Sequence, residues 1–422
     1  MNKVYTEISP VTLLLFLINI IVGTGVFLNA TMLDGLLQGY SFFAYLLTGL
    51  LVFPILLVTY RLSLLHKNRN MLDIFSFYFK ERSSFIVALY AIAKLATVGV
   101  ALIFSSTLLM NFFLSIGFFL PYCFFFVLVF LGCFLLSYFE YSTTQFVQFL
   151  ILFLKLIPLL STILFAFYIG IRDGRSFFSS NMAAYSTYSV SFASLFEAVS
   201  MTIFSFAGFE ALFSLGNYRF KQGSKIKFSD LLVIGFCIAA GLYLFYQAGV
   251  SFLNMFFAQS QSFGSLEIFD LFTVYFGSNY IFLFLSKIMV FCSFASSFGV
   301  AHGILYASSR NLSYAFESIV LNKKKVVQGG VFFMLLFYGY FFSNKVFLLQ
   351  QVSSLGTIMT YLLFVCCYLK EEINSLSLLA IGSFLVLFGM HFYTAFFYLG
   401  FYGYILYFFF AILLFLVLKK KR

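Results

Sequence analysis

Along its 422 residues the chain alternates long apolar runs with short polar junctions. Twelve runs can be delimited, at 11–33, 36–60, 84–114, 122–138, 143–169, 194–218, 228–257, 279–307, 327–342, 349–369, 375–391 and 393–418. About 20 residues of α-helix, each rising about 1.5 Å, cross the hydrocarbon core of a bilayer. The pattern therefore predicts an all-α polytopic membrane protein of about twelve transmembrane helices, the ninth short and the twelfth long. In lipid every backbone polar group needs a partner inside the protein, so each run is expected to stay helical unless it borders protein or a wet cavity.

Two runs carry an interruption. The first holds Ile18-Asn19-Ile20-Ile21-Val22-Gly23-Thr24-Gly25-Val26-Phe27-Leu28, with two glycines and a threonine at its middle. Glycine costs about 1 kcal/mol against alanine inside a helix, which marks this stretch as a place where the helix opens. The second holds Phe204-Ser205-Phe206-Ala207-Gly208-Phe209-Glu210 and adds a carboxylate. Half-helices that meet at membrane depth aim N–H groups at an anion and carbonyls at a cation. Two such breaks in corresponding halves are the sequence sign of a secondary transporter with a midplane site.

Composition narrows the class. With 63% hydrophobic and 9% charged residues, the chain is no water-soluble globular domain, and no polar stretch is long enough for a separate one. The first run lacks a cleavage pattern and is expected to be retained. The net charge of +11 is no sign of nucleic-acid binding, because its basic residues fall in alternate junctions. With the N-terminus in the cytoplasm, that side collects Lys3, Arg61, Lys67, Arg69, Lys80, Arg82, Arg219, Lys221, Lys225, Lys227, Arg310, Lys323 to Lys325, Lys370 and the tail Lys419 to Arg422. The other side receives only Arg172, Arg175 and Lys345. This bias places both termini in the cytoplasm, in what is expected to be a bacterial inner membrane, and the basic tail at the lipid surface. There is no Trp beside 67 Phe and 28 Tyr, so Tyr takes the interfacial aromatic positions. Six cysteines lie in apolar runs without ligand spacing and three histidines are scattered, so neither a metal site nor a cofactor is expected.

Three lysines sit inside apolar runs: Lys94, Lys155 and Lys287. A charge at such depth costs at least about 2.5 kcal/mol, so it faces a cavity or a partner unless it snorkels to the interface. For Lys94 and Lys287 both outcomes stay open; Lys155 is central, which favours a functional role.

These stretches resemble the amino acid-polyamine-organocation superfamily of permeases. Its Gly-Ser/Thr-Gly break in the first helix is similar to Gly23-Thr24-Gly25-Val26-Phe27, and its Phe-Ala-Phe-x-Gly-Phe-Glu in the sixth to residues 204–210, with a departure at Ser205. Val147-Gln148 followed by Lys155-Leu156-Ile157-Pro158 fits the fifth helix, and Arg310-Asn311-Leu312-Ser313-Tyr314-Ala315 fits the segment after the eighth. The resemblance covers roughly the first 320 residues and implies a leucine-transporter-type fold of two inverted five-helix repeats, 11–169 and 194–369, with two accessory helices at 375–418. It implies a substrate carboxylate held by backbone N–H groups around Thr24 and Gly25, with Gly23 permitting close approach. The substrate ammonium would meet carbonyls at Ile21, Phe204 and Ala207, beside the Gly208 break. Glu210 would brace the unwound segment or a gate, or carry a proton; bonding to backbone alone remains an equal alternative. Phe204 would cap the pocket or simply pack.

Lys155 resembles the lysine that takes the sodium position in proton-coupled members. A lysine in low dielectric can release its proton, which favours proton coupling over sodium. Ser296 and Ser297 are the residual sign of a sodium site. The leading expectation is a secondary active transporter moving amino acids by alternating access. The alternative is an amino acid/polyamine or amino acid/amine exchanger. An intramembrane enzyme is remote, since neither a Gly-x-Ser-x-Gly elbow nor a His-Glu-x-x-His motif occurs. Ala101, Ser293 and Thr357 are candidates for lining the side-chain pocket.

Overall fold

The computed structural model describes residues 6–8, 10–66, 71–137, 141–172, 190–210, 218–220, 228–258, 280–315, 323–343, 345–400, 402, 403, 405 and 407. The first half contains α1 (Pro10–Ile21), α2 (Thr24–Leu37), α3 (Phe42–Leu65), α4 (Met71–Phe79), α5 (Ser83–Ser115), α6 (Tyr122–Leu136) and α7 (Tyr141–Arg172). The second contains α8 (Phe192–Phe206), α9 (Phe228–Ala258), α10 (Tyr280–Ala315), α11 (Lys323–Phe342), α12 (Val346–Glu371) and α13 (Ser375–Leu399).

With α1 and α2 taken as one crossing, eight of these helices are long and apolar enough to span a bilayer, and three shorter apolar helices accompany them. Leu50, Phe153, Leu164, Phe333 and Leu378 are each more than half exposed on the outer surface. Side chains of that kind belong against lipid tails. The chain is an integral membrane protein.

Two boundaries differ from the hydropathy pattern. The division expected between 391 and 393 does not exist: α13 runs on to Leu399 and stops at Gly400, whose φ is +52°. His391, which the hydropathy pattern put at the end of a run, lies inside the helix with its ring buried, Nδ1 2.6 Å from the Tyr407 hydroxyl and Nε2 3.2 Å from the Gln351 carbonyl. Most of the expected twelfth run lies outside the described residues, as do Lys67, Arg69, Arg175, Lys221, Lys225, Lys227 and the basic tail. The second difference is α4, a short helix in a junction where no element was expected.

The long helix α5 is the axis of the bundle. It packs against α10 on one side and α12 on another, with α6 and α11 behind it. Close approach at these crossings rests on small residues: a Cβ on Gly99 of α5 would stand 2.9 Å from the Leu349 side chain of α12. The apolar core is continuous across α1, α2, α3, α5, α8, α9, α10 and α12. One pair of three-residue strands is present, β1 (Thr6–Ile8) and β2 (Tyr218–Phe220), in parallel register with Thr6 beside Tyr218 and Ile8 beside Phe220.

Candidate functional site

The first interruption opens where Gly23 lowers the helical preference. α1 ends at Ile21, Val22 and Gly23 leave the helix, and α2 restarts at Thr24. The Val22 N–H still reaches the Ile18 carbonyl at 2.8 Å, and the Val26 N–H bonds Gly23 at 3.3 Å. The first N–H groups of α2, from Thr24 and Gly25 onward, have no acceptor within their own helix. Carbonyls at the end of α1 are orphaned in the same way, and two side chains collect them. The Lys155 ammonium, fully buried on α7, donates to the Asn19 carbonyl at 2.6 Å and to the Val22 carbonyl. The Tyr243 hydroxyl of α9 lies 2.5 Å from the Ile21 carbonyl and 2.8 Å from the Ser205 carbonyl.

The second interruption ends α8. Ala207 turns extended, with φ −68° and ψ 126°, and its N–H still reaches Ile203 at 3.1 Å and Phe204 at 3.3 Å. Gly208 then takes φ +144°, a conformation that L side chains avoid. The Glu210 carboxylate turns back to accept the Gly208 N–H at 2.9 Å. Its other oxygen pairs with the Lys94 ammonium of α5, which also donates to Thr357 Oγ1 of α12 at 2.9 Å. Lys94 and Glu210 are 2% and 0% exposed, so the pair is closed to solvent in this conformation.

The two interruptions touch. A Cβ on Gly25 would stand 2.5 Å from Ser205 Oγ, 2.8 Å from Ser205 Cα and 3.0 Å from the Phe204 ring. One on Gly208 would stand 3.1 Å from the Ile20 carbonyl, and one on Gly23 2.5 Å from the Val300 side chain of α10. The structure thus brings Ile21, Gly23, Thr24, Gly25, Phe204, Ala207, Gly208, Lys155 and Glu210 into one region of the bundle. Thr24 Oγ1 lies 2.9 Å from Ser297 Oγ, and Ser297 donates to the Ala101 carbonyl at 3.0 Å. Ser293 and Ser296 are buried hydroxyls on α10. Lys287 stands apart, half-buried on α10 among Phe112, Phe284 and Phe291.

Beyond the breaks, α2 and α8 are joined by polar side chains. Asn29 donates to the Met201 carbonyl at 3.0 Å and to Ser205 Oγ at 3.3 Å, while Gln350 donates to Asn29 Oδ1 at 2.9 Å. Thr48 and Thr202 hydroxyls meet at 2.5 Å, and Ser200 donates to Gln351 at 2.9 Å. Buried groups of this kind must be paired, and together they form a polar seam between α2 and α8. Tyr243, Asn29, Gln350 and the identity of the Lys94 partner were not anticipated from the sequence; of the two outcomes left open for Lys94, the structure shows pairing. The available signal was their polarity within apolar runs, together with the one carboxylate beside a break, which needs a cation.

No family model and no curated protein matches the chain. Among solved structures, it is similar to the crystal structure of MhsT in complex with L-phenylalanine, at a TM-score of 0.66 and 14% identity, over 92% of this chain and 99% of that one. The two share a fold. Since nearly all of MhsT is covered, the leucine-transporter-type architecture that the family resemblance implied is the architecture of this protein.

Proposed function

We propose that the protein is a secondary transporter that carries an amino acid across a bacterial inner membrane by alternating access, coupled to protons, with both termini in the cytoplasm. The observation that carries this reading is the contact between two opened helices at Gly25–Ser205 and Ile20–Gly208. A zwitterion needs donors at one end and acceptors at the other, and this crossing supplies both from backbone. The N-terminus of α2 offers N–H groups of Thr24 and Gly25 to a carboxylate, and Gly25 lets α8 cross in direct contact with it. Carbonyls around Ile21, Phe204 and Ala207 offer acceptors to an ammonium. In this conformation the Tyr243 hydroxyl occupies Ile21, so binding would displace it. The MhsT structure was solved with L-phenylalanine, which supports an amino acid as the solute.

Lys155 supports the choice of proton. Its ammonium fills the space between the Asn19 and Val22 carbonyls, a cradle that would otherwise suit a small cation. Among the described residues it has no carboxylate partner, so loss of its proton leaves no unpaired anion behind. Loss of that proton would free the α1 carbonyls and let the break move. The seam between α2 and α8 is the half that must part for one side to open.

Uptake of a labelled amino acid panel into proteoliposomes, with pH and sodium gradients imposed separately, tests the proposal. Accumulation driven by an inward proton gradient is expected, with no response to sodium. Absence of uptake or exchange for every amino acid would overturn it, and exchange without gradient-driven accumulation would replace symport by antiport.

A further inference from the structure

Lys94 is a buried cation that transport by the two breaks does not require, and its partner is the only carboxylate at either break among the described residues. Glu210 follows Gly208 by two residues, one oxygen bound to the Gly208 N–H and the other to the Lys94 ammonium. Thr357 fixes the ammonium from α12, and the Tyr90 ring lies 5.7 Å beneath it. Other acids in the described bundle stand away from the crossing. Glu197 precedes the end of α8 by nine residues, roughly 13 Å of helix, and bonds to Tyr398. Asp34 lies ten residues into α2, roughly 15 Å along it, and accepts from Asn254 at 2.9 Å.

We infer that Lys94 sets the charge class of the solute: by occupying Glu210 it makes the site accept amino acids with uncharged side chains and exclude basic amino acids and polyamines. The inference rests on the amino acid transport proposed above and narrows it. In a region shielded from water, charges act strongly over several ångströms. A cationic side chain arriving between the breaks meets a carboxylate already neutralised by Lys94, with the Lys155 charge opposed by no acid among the described residues. An acidic side chain finds both ammoniums already engaged, one by Glu210 and Thr357, the other by carbonyls. Selectivity here arises because each charged group of the site has its partner before the solute arrives, leaving a charged newcomer to be buried unpaired.

Removing one member of the pair should expose the other. Proteoliposomes are loaded with wild type, Lys94→Met, Glu210→Gln or the double variant, and uptake of labelled L-phenylalanine, L-alanine, L-arginine, L-glutamate and putrescine is compared within each protein. Wild type should favour the neutral pair over arginine, glutamate and putrescine by about tenfold or more. Lys94→Met should raise the arginine-to-alanine ratio about tenfold, Glu210→Gln the glutamate-to-alanine ratio, and the double variant should return both toward wild type. A pair that merely braces the fold would slow all solutes together and leave these ratios fixed, which overturns the inference. Wild-type uptake of arginine equal to that of alanine overturns it too, while leaving amino acid transport standing. No uptake of any solute removes the transport proposal itself. Should Lys94→Met fail to fold, the glutamate ratio of Glu210→Gln and the restored ratios of the double variant carry the test.

Discussion

Lys155 makes two charge-assisted bonds to carbonyls of one opened helix and none to an acid among the described residues. Replacing it by Ala leaves both carbonyls without a donor, at about 1–3 kcal/mol for each group that water cannot reach. The expected outcome is loss of accumulation driven by a pH gradient with retention of exchange, measured in proteoliposomes. Undiminished proton-driven uptake would remove its assigned role. Gly25 makes a second prediction. Its Cβ position is 2.8 Å from the Ser205 backbone, so Gly25→Val must push α8 away or reorient α2, at a cost of about 1–3 kcal/mol. Affinity for the amino acid, measured by equilibrium binding, should fall about tenfold or more, and unchanged affinity would place the solute elsewhere. At this scale the glycines, Lys155 and Glu210 could be read from the sequence because each is anomalous where it stands. Their partners could not: Tyr243 reaches Ile21, and Lys94 reaches Glu210, across helices whose mutual rotation no single run of sequence records.

The elements that move need anchoring as much as opening, and α4 is one anchor. Tyr78 on α4 donates to Glu371 at the end of α12 at 2.7 Å, and His66 at the end of α3 meets the same hydroxyl at 2.7 Å. Lys370 adds a bond to the Tyr78 carbonyl at 3.1 Å and covers the Phe79 ring. Partial burial and the neighbouring Glu371 carboxylate push the Tyr78 phenol well above its usual 10.0. The folded state therefore favours the neutral phenol, so the contribution is complete below about pH 10 and is lost only as pH rises through the raised value. Tyr78→Phe should loosen α4 by about 1 kcal/mol at neutral pH, seen as lower amide protection factors in residues 71–79. Protection unchanged by the substitution would show that apolar packing alone holds α4. This helix escaped the hydropathy pattern because it is too short to be a crossing and lies among polar neighbours. The break after α8, by contrast, was legible, since few residues other than glycine hold φ at +144°.

Across the whole molecule, apolar runs gave the membrane crossings, because insertion depends on sums over many residues that survive local error, and basic junctions predict an orientation. Where a run contained a polar residue with a buried partner, as at His391, the boundary was misplaced. Orientation has its own test. A reporter active only in the cytoplasm, fused after Arg422, should be active, and one inserted between Arg172 and Val190 should be silent; the reverse pattern would invert the topology. The double variant Asn29→Ala with Gln350→Ala removes donors that join α2 to α8, and it should raise the rate at which that half of the bundle parts, read as faster exchange and a thermal midpoint lower by about 1 °C for each 1 kcal/mol lost. Unaltered exchange would place the barrier on the other side.

The ladder joining Thr6–Ile8 to Tyr218–Phe220 harnesses the start of one interrupted helix to the chain that leaves the other. Neither can swing without dragging its companion. The door on that side is therefore expected to be a double leaf hung on two glycine hinges, and a stapling bond placed across the ladder should leave the door free to open as one panel.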